Sequence, residues 1–199
     1  AALSTPSRES HQADDAHIQR ELNALFRDSL LPISLFLAGL YAFFSVLHLS
    51  ILDGPARLIM TSAALTGMSA FLIIAASVRS DQIPAKYAYT VGFVIFGIVL
   101  ANSSLHMLVE KDINQSTNFA LIFVAVGLFF LSRRNLIIAF MINFAVWALC
   151  AALVTENVKM LEHFAVMNVQ AIFIGLLAIE LRLRSSRKLI RMRTEAGER

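Results

Sequence analysis

The sequence predicts an all-α polytopic membrane protein: a six-transmembrane-helix bundle with an N-terminal amphipathic interfacial helix and a C-terminal helix that runs on into the cytoplasm. Three observations carry this. The 199 residues are 57% hydrophobic and 16% charged, with a mean hydropathy of +0.68, which is too apolar for a soluble globule. Six apolar runs approach the roughly 20 residues that a spanning helix needs. The links between them are short, which sets each helix antiparallel to the one before it.

Taken in order, residues 1–12 ("AALSTPSRESHQ") are polar and are expected to lack order. Residues 13–29 place Ile18, Leu22, Leu25 and Phe26 at helical spacing, with Arg20, Glu21, Arg27 and Asp28 around the other side. That pattern predicts an amphipathic helix lying on the inner membrane surface, N-capped by Asp14 or Asp15. The bundle occupies 30–181, with spans expected at about 30–51, 57–78, 86–108, 117–132, 135–154 and 161–181. The first run is full length from Leu30, unlike the short core of a secretory signal. "LDGPA" is a Gly-Pro turn, "RSDQIPAK" carries Pro84, and "SRRN" is barely a turn.

Lysine and arginine near the helix ends set the orientation. Arg79 and Lys86, then Arg133 and Arg134, and finally Arg182, Arg184, Arg187, Lys188, Arg191 and Arg193 mark one side as cytoplasmic. The opposite links hold Asp53 with Arg57, then Glu110, Lys111 and Asp112, then Glu156, Lys159 and Glu162. Both termini are therefore expected in the cytoplasm, as in a multi-pass protein of a bacterial inner membrane. The formal charge of +3 fits basic loops beside anionic lipid and argues against nucleic acid as a partner. The single cysteine, Cys150, lies in an apolar run and reads as a small buried hydrophobe.

Running from the last span out beyond it, Leu176, Ile179, Leu183, Ser186, Ile190 and Arg193 follow one another at steps of three and four. This stripe predicts that 182–199 begins a coiled-coil linker, with Glu180, Leu183, Ser186 and Ile190 as output residues and a second copy of the chain as the partner. A solvated basic helix end that snorkels to headgroups explains the same arginines.

Nothing in the sequence supports catalysis. There is no phosphate-cradling loop, no H-E-x-x-H, no cysteine pair and no G-x-S-x-G, so the chain is expected not to be an enzyme. Polar residues inside the spans carry what chemistry there is, since each is costly in hydrocarbon. Asn102, Ser103, Ser104, Asn143, Asn168 and Gln170 can serve as hydrogen-bonding links between helices.

Three histidines stand out as a group. His48 ends the first span, His106 lies one turn from the end of the third and His163 begins the sixth, all near the outer boundary. Asn102 and Glu110 share the face of His106; Met160 and Met167 share that of His163; Glu162 precedes it, and Asp53 follows His48 in the turn. Three imidazoles with a carboxylate suit Zn²⁺, and imidazole with thioether suits copper. Haem held by two of them is a lesser option, and a pH-sensing cluster a further one. Interface histidines that bind nothing explain the pattern equally well.

Six short-looped spans, the basic loops "RSDQIPAK" and "SRRN" and the exit helix "LAIELRLRSSRKLIRMR" together resemble the MASE-type membrane sensor domains of bacterial diguanylate cyclases and histidine kinases. They are also similar to the six-helix anchors of membrane adenylyl cyclases. The resemblance covers about residues 13–193. It implies a dimeric sensory domain whose ligand, ion or cofactor acts near the outer face and whose sixth helix drives a cytoplasmic cyclase or kinase in a further domain. A receptor for a lipophilic signal, a passive dimerising anchor and a small transporter are the competing expectations.

Overall fold

A computed structural model describes residues 8–197, with side chains placed from His17 to Ile190 and at Met192. All regular structure among them is helical. The helices are α1 (Arg8–Ile51), α2 (Gly54–Arg79), α3 (Ala88–Glu110), α4 (Ser116–Phe129), α5 (Arg133–Val154) and α6 (Val158–Gly197). Single 3₁₀ turns at Ala85–Tyr87 and Ile113–Gln115 lead into α3 and α4.

Five of the six are long and apolar enough to cross a membrane. α4 is the exception, because it has only 14 residues. Expected to end at residue 132, it stops at Phe129, where Phe130 turns extended and Ser132 caps α5 by accepting from the Asn135 amide.

Two expectations about the first helix are corrected. α1 continues unbroken from residue 8, so 8–12 are helical and only 1–7 of the unordered segment lie outside the described residues. Nor do 13–29 form a separate surface helix. Leu22, Phe26 and Leu30 are buried in protein, and the same stripe runs on through Ser34, Ala38, Tyr41, Ser45 and His48. Pro32 lies within α1 without ending it. Arg27 donates to the Ile83 carbonyl at 2.7 Å and pairs with Asp81, tying this half of α1 to the α2–α3 turn.

Every long helix buries one stripe and exposes the rest as apolar surface, which is what a bundle does when its solvent is hydrocarbon. α1 packs most extensively on α2, and α4 on α6; α3 touches α1, α2, α4 and α5 and so sits at the centre. Glycines set the closest approaches. The Tyr41 ring fills the space where a Cβ on Gly67 would stand, 2.5 Å away. Gly127 of α4 and Gly175 of α6 bring two backbones into direct contact.

The exit stripe of α6 is buried within the chain itself. Ala171, Gly175, Ile179, Leu183 and Ile190 are buried and Ser186 half-buried, while Leu176 is 40% exposed. Ile190 belongs to the same apolar core as Leu22, and α6 touches α1. The seam expected to meet a second copy is thus occupied as far as Ile190 by the chain's own helices; the Arg193 side chain lies outside those described.

Candidate functional site

α1 and α4 both pack on α3 but not closely on each other, which leaves a crevice between them floored by α3. Its volume is about 480 Å³. At the end that carries the α1–α2 turn the lining is polar: His48 from α1, Asn102, His106 and Glu110 from α3, and Gln115 and Asn118 at the start of α4. Deeper in, the walls are Phe36, Leu40 and Phe44 on one side and Leu121 and Ala125 on the other.

The two histidines meet there. His48 Nε2 lies 3.3 Å from His106 Nε2, with ring centroids 5.2 Å apart. His48 is buried at 5% exposure, although it belongs to a residue type that is costly to bury. The buried stripe of α1 places it, reaching His48 in steps of three and four from Tyr41 and Ser45. Phe44, one turn before it, stacks on its ring at 6.2 Å.

A polar relay extends from the pair. His106 Nδ1 lies 3.2 Å from Glu110 Oε1, one helical turn on. Gln115 donates to the other Glu110 oxygen at 2.7 Å, and Asn118 donates to Gln115 at 2.7 Å. One ring donates and the other accepts across the Nε2 contact, according to tautomer. The Nδ1 atoms of both rings are buried without a well-formed hydrogen bond, that of His48 with the Met60 backbone of α2 nearby and that of His106 beside the Glu110 carboxylate. The Oδ1 of Asn102 is likewise buried and unpartnered.

His163 does not join the pair. It is exposed at the start of α6, its ring 5.3 Å from that of its neighbour Phe164. Met160 and Glu162 are exposed beside it and Met167 is half-buried. Asp53 is taken by Arg57 at 2.7 Å in the α1–α2 turn. The three-histidine ligand set is therefore not assembled, and no group of three or more His, Cys, Asp or Glu residues able to hold a metal occurs among the described residues.

Two nitrogens held by one tetrahedral zinc ion stand about 3.4 Å apart, so the pair has the spacing of a chelate, and Glu110 sits where carboxylates orient ligating imidazoles. Two imidazoles are nevertheless short of the three protein ligands of even an open zinc site. A porphyrin between them would require the contacting nitrogens to part by the thickness of the macrocycle and its two axial bonds.

At the other end of the bundle, α6 is fastened to the α4–α5 turn. Arg182 donates to the Phe129 carbonyl at 3.2 Å, the last of α4. Glu180 pairs with Arg133 and, at 2.9 Å, with Arg184. Between the two ends, Asn143 donates to the Phe119 carbonyl at 3.0 Å and Trp147 to Ser116 at 2.9 Å, joining α5 to α4. Gln115 and Asn118 escape a reading based on span centres, because they fall in the loop-like run "NQSTN"; their spacing of three at a helix start was the available signal.

No family model matches the chain, and comparison with curated proteins and with solved structures finds no significant similarity.

Proposed function

We propose that this chain is the signal-input domain of a bacterial membrane receptor, in which occupancy of the α1/α3/α4 crevice is passed through α4 and α6 to a cytoplasmic nucleotide cyclase or kinase. In this reading α4 completes six crossings, the histidine end faces outward, and both termini are cytoplasmic, in line with the arginine and lysine bias. The resemblance to MASE-type domains supports it at the level of architecture.

One observation carries the reading. The helix that walls the crevice is the helix that grips α6: α4 lines the polar end through Asn118, beside Gln115 in the turn that leads into it, touches α6 backbone to backbone at Gly127 and Gly175, and is held at its last carbonyl by Arg182. A ligand that binds two positions of α4 with different affinity must move α6, since backbones in contact cannot slide independently.

Filling the crevice tests this without knowledge of the stimulus. In a Cys150→Ser background, spin labels at Ser80 and Lys188 report the distance from the α2–α3 turn to the exit helix. Leu121→Trp is expected to shift that distribution. An unchanged distribution is what a passive anchor predicts and would sink the proposal.

A further inference from the structure

The polar end of the crevice is unevenly satisfied. Glu110 accepts from Gln115, which in turn accepts from Asn118, while the Nδ1 atoms of His48 and His106 are buried without a hydrogen-bond partner. Asn102 Oδ1 is left as a buried acceptor with no donor, beside two imidazoles that exchange donor and acceptor roles according to tautomer. An acceptor stranded in this way is unfavourable unless an occupant supplies the donor. Below it the walls carry no charge, and Phe36 and Leu121, on opposite walls, are 69% and 66% exposed, so the crevice opens sideways toward lipid.

We infer that the crevice takes a neutral amphiphile with a hydroxyl head and a hydrocarbon tail, entering laterally from the bilayer; this rests on the sensory reading above and names its ligand class. A hydroxyl donates to Asn102 Oδ1 and accepts from an unpartnered imidazole Nδ1–H with one atom and no charge. A carboxylate head brings a second negative charge beside Glu110 and has no proton for Asn102. An ammonium head has no lone pair with which to accept from an imidazole N–H. A plain alkane fills the apolar depth but leaves Asn102 unmet.

The test uses the full chain in lipid nanodiscs, radiolabelled 1-decanol as probe, and decanoate, decylamine and decane as competitors. Saturable binding of one decanol per chain is expected, with each competitor weaker by about tenfold or more, the loss of roughly one hydrogen bond to a buried group. Asn102→Leu should weaken decanol about tenfold and leave decane unchanged. Leu121→Trp and Ala125→Trp, both at exposed wall positions, should abolish binding while the helical circular dichroism is retained.

Equal competition by decane would show that no head group is read and would overturn the proposal. So would decanol binding that survives both tryptophan variants, or a tryptophan variant that changes oligomeric state, which would make a second copy of the chain the occupant. Decanol binding with no movement of the exit helix would instead defeat the sensory reading and leave the ligand class standing.

Discussion

Gly127 of α4 and Gly175 of α6 stand so close that a methyl group on Gly127 would lie well inside van der Waals contact with the Gly175 carbonyl, and one on Gly175 would lie 2.6 Å from the Phe123 carbonyl. Neither obstacle is the end of a flexible side chain. Gly175→Ala is therefore expected to push the helices apart and to destabilise the bundle by about 1–3 kcal/mol, the usual cost of overpacking. Thermal unfolding in detergent measures it. Gly97→Ala is the control, since nothing lies within 4 Å of its Cβ position, and it should unfold as the parent does.

The contact between His48 and His106 makes a different kind of prediction, one about coupling. Replacing either ring by alanine removes the same interaction, so the double variant should be less destabilised than the two singles added together, by about 0.5–1.5 kcal/mol. His163→Ala combined with either should be additive within error, since His163 lies exposed on another helix. A non-additive result with His163 would show that the three rings do converge.

Trp147 is the only tryptophan, and its indole N–H donates to Ser116 in a buried setting. Its emission should be blue-shifted and insensitive to iodide. Ser116→Ala leaves that N–H unpaired, so the emission maximum should move while stability falls by about 1 kcal/mol. An unmoved spectrum would mean that the indole does not meet this hydroxyl.

At the opposite end, Glu180→Gln and Arg182→Met each release one fastening between α6 and the α4–α5 turn. Faster amide hydrogen exchange over residues 183–190 is expected, with little change in the melting of the bundle, because the buried stripe of Ile179, Leu183 and Ile190 still holds α6 to the core. Uniform acceleration across α4 and α6 would contradict a local clamp.

Cys150 is 4% exposed on α5, packed among the buried residues of that helix. A membrane-permeant maleimide should label it slowly in the folded protein and rapidly after unfolding, so its rate reports opening of the bundle.

The apolar runs revealed the helices because hydrocarbon leaves a chain few other ways to satisfy its backbone. What they could not reveal is what each stripe faces. Ile18, Leu22 and Phe26 have one spacing whether they rest on headgroups or pack in protein, and only the neighbouring Tyr89 and Phe130 rings, stacked with Phe26 at 4.3 and 5.7 Å, decide it. The exit stripe of Ile179, Leu183 and Ile190 was legible as a stripe, but spacing does not distinguish a partner chain from the chain's own core.

The candidate site shows the same limit. His48, His106, Asn102 and Glu110 could be grouped from sequence because three of them share one helical face and the fourth ends the adjacent span. His163 has the depth but not the rotation: the buried stripe of α6 runs through Phe164, Asn168 and Ala171, and a side chain one residue earlier is turned about 100° away.

The shortness of α4 has a consequence for the surrounding lipid. Fourteen residues rise about 21 Å against a hydrocarbon core of about 30 Å, whereas the neighbouring helices are long enough to cross it in full. If α4 is the sixth crossing, as proposed above, the bilayer on its flank must thin or tilt its chains to match, at a cost that grows with each ångström of mismatch. In that six-span reading, membrane thickness would then act on the one wall of the crevice that also holds α6.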